Sequence, residues 1–160
     1  MAGSIEPTNT ARDTPKYVCT IGWVSSGPVR LGILPIQVET PRDMVQAVAF
    51  LDNGSNTTLV AESFAREHDL GGQNTSLAIS TINGARAVRA SQMCLKLAPT
   101  LGKDTKKVHQ AFTIAELLMR ASESIRSLAR RWPHLHDLPF EDVPESRMDI
   151  LIGCDVPEVH

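Results

Sequence analysis

Short apolar runs broken by turn-forming residues dominate this chain, and their spacing predicts strands. The first is expected at residues 17–21, from Tyr17 to Ile21. Residues 31–38 (LGILPIQV) follow. Their Ile and Val content favours strand, and Pro35, which has no N–H to give a ladder, must lie at an edge or a bulge. Residues 44–51 (MVQAVAFL) are nearly all apolar and stop at Asp52, Asn53, Gly54 and Ser55, the pattern of a buried strand entering a tight turn. Strand resumes over 57–60. Residues 61–70 read as a short helix with Phe64, Ala65 and His68 on one side, stopped by Gly71 and Gly72. Leu77 and Ile79 alternate with their neighbours in a strand over 75–82. Asn83-Gly84 is a hairpin-turn pair, because both residues tolerate positive φ. Strand returns over 85–97 and again over 108–114.

The texture changes after Ile114. Leu117, Leu118, Ala121, Ile125 and Leu128 recur at helical spacing and predict a helix over 115–132, limited by Pro133. Residues 133–147, with Pro133, Pro139 and Pro144, read as an irregular connection. Residues 148–153 (MDILIG) predict a final short buried strand. The polar residues 1–16, with Pro7 and Pro15, read as a flexible N-terminal segment, which leaves 17–160 as one domain. The expected fold is mostly β, with one short helix and a second helix inserted late.

Composition narrows the class. A chain of 160 residues is long enough for one domain with a real core. Lys and Arg total 16 against 18 Asp and Glu, a net charge of −2. Phosphate binding needs a basic surplus, so no specific nucleic-acid partner is expected. No apolar run approaches the roughly 20 residues that span a bilayer, so no membrane partner is expected. The N-terminus lacks a basic stretch followed by an apolar one, so no secretory signal is read. Cys19, Cys94 and Cys154 are odd in number and far apart. They fit reduced intracellular thiols, form no zinc motif, and Cys154 is read as buried.

Two segments could carry chemistry. In Phe50-Leu51-Asp52-Asn53-Gly54-Ser55 a carboxylate ends an apolar strand and precedes a glycine turn. A partly desolvated carboxylate held by backbone donors can act as a general acid or base; the same Asp-X-Gly pattern also serves as a plain turn cap. In Leu151-Ile152-Gly153-Cys154-Asp155 the glycine would let another backbone approach a buried strand.

Taken in order, these segments resemble the retroviral-type (retropepsin-like) aspartic peptidases, and more closely the peptidase domain of Bel/Pao-type retrotransposon polyproteins. The residues that carry the resemblance are 49–58 (AFLDNGSNTT), Trp132-Pro133-His134-Leu135 with Leu138-Pro139, and 148–157 (MDILIGCDVP). It covers roughly residues 30 to 160. It implies an acid-protease half-barrel with a flap hairpin, and Asp52 as the catalytic aspartate. Asn53, Gly54 and Ser55 would complete the catalytic loop, and Leu151, Ile152 and Gly153 would support it from behind. Ile82, Asn83, Gly84 and Ala85 would form the flap tip over the substrate. One chain offers one such aspartate, and the family mechanism needs two, so the resemblance implies a homodimer. It also implies a peptide or polyprotein substrate, water as nucleophile, no cofactor, and a place in a cytoplasmic retroelement particle.

The chain departs from the family at Asn53, where the family has Ser or Thr bonding across the dimer. That departure sets a second reading beside the first: a peptidase-fold module that binds peptide or dimerises with little catalysis. The family also closes its dimer with a terminal strand, for which residues 156–160 are short, so a weaker dimer is expected. His134 and His136 beside Asp137 have no further metal ligand near in sequence and fit a polar loop; no metal is expected. Arg126, Arg130 and Arg131 read as a solvated helix face. The glycosylation patterns at Asn53, Asn56 and Asn74 are read as chance.

Overall fold

The computed structural model describes residues 17–20, 32–81, 83–117, 130, 133–135 and 147–159. The described strands are β1 (Tyr17–Thr20), β2 (Gly32–Glu39), β3 (Met44–Leu51), β4 (Thr58–Ala61), β5 (Gln73–Thr81), β6 (Gly84–Pro99), β7 (Lys106–Ile114) and β8 (Ile150–Ile152). Among the described residues one α-helix, α1 (Glu62–Glu67), follows β4, and Pro133–Leu135 and Pro157–Val159 form single 3-10 turns. The protein is therefore mostly β, as its alternation predicts.

The strands pair into one sheet in the order β1-β5-β6-β2-β3-β8-β4-β7, and β6 also pairs with β7, so the strands from β6 round to β7 close on themselves. Closure depends on the length of β6. Its first half pairs with β5, Met93 and Leu95 to Leu97 continue against β7, and Leu97 to Pro99 reach β2. A register shift between Met93 and Leu95 lets one long strand turn from one neighbour to the other.

Two apolar clusters fill the interior. Ile36, Val38, Ala49, Val60, Phe64, Leu95, Ile150, Ile152 and Val156 belong to one; Ile33, Phe50, Leu59, Leu77, Ile79, Phe112 and Leu151 belong to the other. The division follows the period of two along each strand. It is clearest in β8, whose Ile150 and Ile152 face one cluster and Leu151 the other. A strand covered on both faces needs an unbroken apolar run, which is why residues 150–152 carry no polar side chain.

The structure corrects several local expectations. Residues 44–51 do form a strand, but Met44 and Gln46 are exposed, and only Ala47, Ala49 and Phe50 are buried. Pro35 pairs with Val48 without a bulge, and the β6 ladder starts at Ile36, so the edge alternative holds. Helix α1 does not run to Gly71. It ends when Asp69 takes the left-handed conformation at φ 53, with Leu70 N donating to Ala65 O (2.9 Å). A short polar side chain tolerates that conformation, so the aspartate does the work expected of glycine.

The hairpin turn lies one residue earlier than expected. Thr81 pairs with Gly84, and Gly84 has a positive φ (115). Residues 115–117 are not helical. Most of the helix expected over 115–132, the N-terminal segment 1–16, and residues 21, 136 and 137 lie outside the described residues. So do all of 136–146 and Ile82.

Candidate functional site

The chain leaves β3 at Leu51, makes a loop over 52–57 and returns as β4. The two strands do not pair with each other. β8 lies between them, parallel to β3 (Phe50 against Leu151) and antiparallel to β4 (Leu59 against Leu151). The loop therefore straddles the end of β8. Asp52 N donates to Ile152 O at 2.9 Å, and Cys154 N donates to Ser55 O at 2.8 Å. The loop is thus brought against the end of β8 from about 100 residues away in sequence: Asp52 meets Ile152 and Ser55 meets Cys154, while Leu151 pairs with Phe50 and Leu59 on the flanking strands and Gly153 lies against Thr57.

Gly153 is where the approach is closest. A Cβ there would lie 2.7 Å from both the N and the O of Thr57, inside any allowed contact. The backbone of the loop rests on this glycine because it has no side chain.

Asp52 itself is buried, with 8% of its surface exposed. Its Oδ1 accepts from Gly54 N at 2.8 Å, a turn in which the aspartate caps its own loop. Ser55 N donates back to Asp52 O at 3.2 Å. Ser55 is also buried; its Oγ donates to Thr57 O at 2.7 Å, and Thr57 N donates to Oγ at 3.3 Å. Asn53 is exposed, and its carbonyl accepts from Cys154 Sγ at 3.3 Å. Cys154 is exposed, not buried as expected, because the chain turns outward once β8 has ended.

The expected flap residues Asn83, Gly84 and Ala85 are exposed at the turn of the β5–β6 hairpin. Asn83 N donates to Thr81 Oγ1 (3.2 Å), and Thr81 Oγ1 donates to Gly84 O (3.3 Å).

Three polar residues around the loop were missed as contributors. Asp155 accepts from Thr58 N (3.1 Å) and from Thr58 Oγ1 (2.8 Å), and Thr58 Oγ1 accepts from Gly153 N (3.3 Å). Asp149, which is buried, accepts from Val48 N through Oδ2 (2.9 Å) while its own N donates to Val48 O (3.0 Å). Arg147 donates to Asp149 Oδ1 through Nε (3.0 Å) and to Glu67 Oε2 through Nη2 (2.9 Å). The Arg147 hydrogen bond, and then its charge, holds the Glu67 carboxyl below its ordinary pKa. The Glu67 hydrogen bond in turn raises that of Arg147. The sequence signal was a pair of aspartates flanking the apolar triplet 150–152; their partners lie too far along the chain to be read from spacing.

Two clefts of about 280 Å³ each lie elsewhere. One is lined by Arg66, Arg89, Asn74 and Ser91, the other by Cys94, Lys96, Lys107 and Glu39. Neither includes Asp52. The described residues hold no cluster of metal-ligating side chains and no helix long and apolar enough to cross a membrane. No protein family, curated protein or solved structure matches the chain.

Proposed function

We propose that this chain is one half of a retropepsin-like aspartic endopeptidase, with a polyprotein as substrate. The observation that carries the reading is the arrangement at Asp52. A buried carboxylate ends an interior strand, its loop straddles a second strand, and its backbone N is tied to Ile152 O. The motif order of the sequence and the closed, mostly β sheet agree with an acid-protease half-barrel carrying the β5–β6 hairpin as its flap.

The chemistry follows from having one such carboxylate per chain. Two copies of Asp52 meet across a two-fold axis. Two carboxylates at that separation share one proton, because both cannot ionise cheaply side by side. The ionised one takes a proton from a water molecule, and the protonated one donates to the peptide carbonyl as the water adds to its carbon. The titration belongs to the pair. Gly54 N, donating to Oδ1, fixes the orientation of each carboxyl. The hairpin tip at 82–85 closes over an extended peptide and pairs with its backbone as an added strand.

Asn53 favours the second reading, a peptide-binding or dimerising module with little catalysis. Its side chain is longer than that of Ser or Thr, so two facing loops stand further apart. One experiment separates the two: cleavage of a polyprotein substrate by the wild type and by Asp52→Asn. Cleavage lost in the variant supports the peptidase; equal cleavage by both sinks it; no cleavage by the wild type, with peptide still bound, supports the binding module.

A further inference from the structure

We propose that Asp155 is a positioning residue for Asp52, acting through Thr58. The inference rests on the peptidase reading for its consequence, but the geometry stands apart from it. A surface carboxylate ordinarily faces water or a near neighbour. Asp155, although exposed, reaches a residue 97 positions away and uses both oxygens on it. Its target, Thr58, is completely buried. Thr58 then hands the connection on, since its Oγ1 accepts from Gly153 N.

Asp155, Thr58 and Gly153 thus form a closed relay between the end of β8 and the start of β4. The loop over 52–57 is held at its first residue by Ile152 O and in its middle by Cys154 N, both backbone groups. Just past its far end, Thr58, the first residue of β4, is held by a side chain, that of Asp155. Without this carboxylate, the N–H and hydroxyl of Thr58 lose their acceptor inside the core, and the loop end must move to find another. A shift of the loop carries Asp52 with it. A shared-proton pair depends steeply on separation, and misplacements on the order of 1 Å cost about 100-fold in catalysis.

Asp155→Ala, Asp155→Asn and Thr58→Val test this, read by amide hydrogen exchange and by kinetics. Asp155→Ala and Thr58→Val are expected to speed exchange at Gly54 and Ser55 about tenfold or more, with the β5–β6 amides around Leu77 and Val88 unchanged. The kcat falls by about tenfold or more with KM little changed. The bell-shaped pH profile narrows, because carboxylates held further apart interact less. Asp155→Asn restores part of both readouts: its carbonyl still accepts from Thr58 N, but its amide can only donate to Thr58 Oγ1, so the hydroxyl hydrogen loses its acceptor. Unchanged exchange at Gly54 and Ser55, equal loosening throughout the hairpin, or an Asn variant as impaired as the Ala variant would each overturn the proposal. If Asp155→Ala does not fold, the other two variants decide. If Asp52→Asn cleaves like the wild type, the peptidase reading falls, and the exchange result still decides what Asp155 does to the loop.

Discussion

Two glycines mark two contrasting regions of this molecule. Gly84 closes the β5–β6 hairpin, where residues near in sequence pair in an unbroken ladder from Gln73 against Gln92 to Thr81 against Gly84. Gly153 ends β8 inside the β3–β8–β4 clasp, where the contacts join residues about 100 positions apart. A Cβ at Gly84 would meet nothing within 4 Å; one at Gly153 would collide with the backbone of Thr57. The first glycine is there for its φ and the second for its missing side chain. A local ladder can be rebuilt by small adjustments, whereas the clasp has no slack, since each side of the loop is already bonded to a buried strand.

The contrast is sharpest for Asp52. Asp52→Asn is expected to lower cleavage of a polyprotein peptide by about 10³-fold or more with the fold unchanged, because a neutral amide cannot act as the base. Cleavage assays on folded variant, checked by circular dichroism, measure it; no comparable loss is expected from substitution at exposed Leu101.

Gly153→Ala is expected to destabilise the protein by about 3 kcal/mol or more, the cost of forcing two backbones apart. Gly84→Ala, with open space but a positive φ, is expected to cost about 1–2 kcal/mol. Denaturant titration of both variants gives the two values, and equal costs would erase the distinction between the regions.

Asn53→Ser is expected to raise kcat/KM by about fivefold, one hydrogen bond across the dimer being worth about 1 kcal/mol. If it leaves cleavage unchanged, the asparagine is not what separates this loop from the family pattern.

The smallest effect concerns the outer brace of the clasp. Arg147 holds the Glu67 carboxyl below its ordinary value of 4.5. A carboxyl depressed in the folded state contributes stability above its unfolded pKa and loses it as pH falls through its folded pKa. Wild type should therefore melt slightly above Glu67→Gln at neutral pH. The gap in Tm should close as pH drops below about 4.5. A gap that persists well below that range would show that the brace acts through packing. The pair is exposed, so the gap is small.

Much of this architecture was legible in the order of the residues. Alternation at Leu77 and Ile79 marks a half-covered strand. The run 150–152 marks one covered on both faces, and Asn83-Gly84 marks a hairpin to within one residue. Asp52 and Gly153 stood out because a carboxylate and a glycine at strand ends are chemically distinctive. The stop of α1 at Asp69 was misread, because glycine is the commoner left-handed residue and an aspartate carries no unique signal. Asp155 and Asp149 were visible only as charges beside an apolar triplet.

Local chemistry alone determined the strands, the turns and the candidate acid, because backbone preference and the period of two act over a few residues. Only the folded chain decided that β8 enters between β3 and β4, that Thr57 rests on Gly153, and that Asp155 grips Thr58. Those choices depend on which distant segments share a core, and a hydrogen bond across 97 residues leaves no trace in the spacing of its partners.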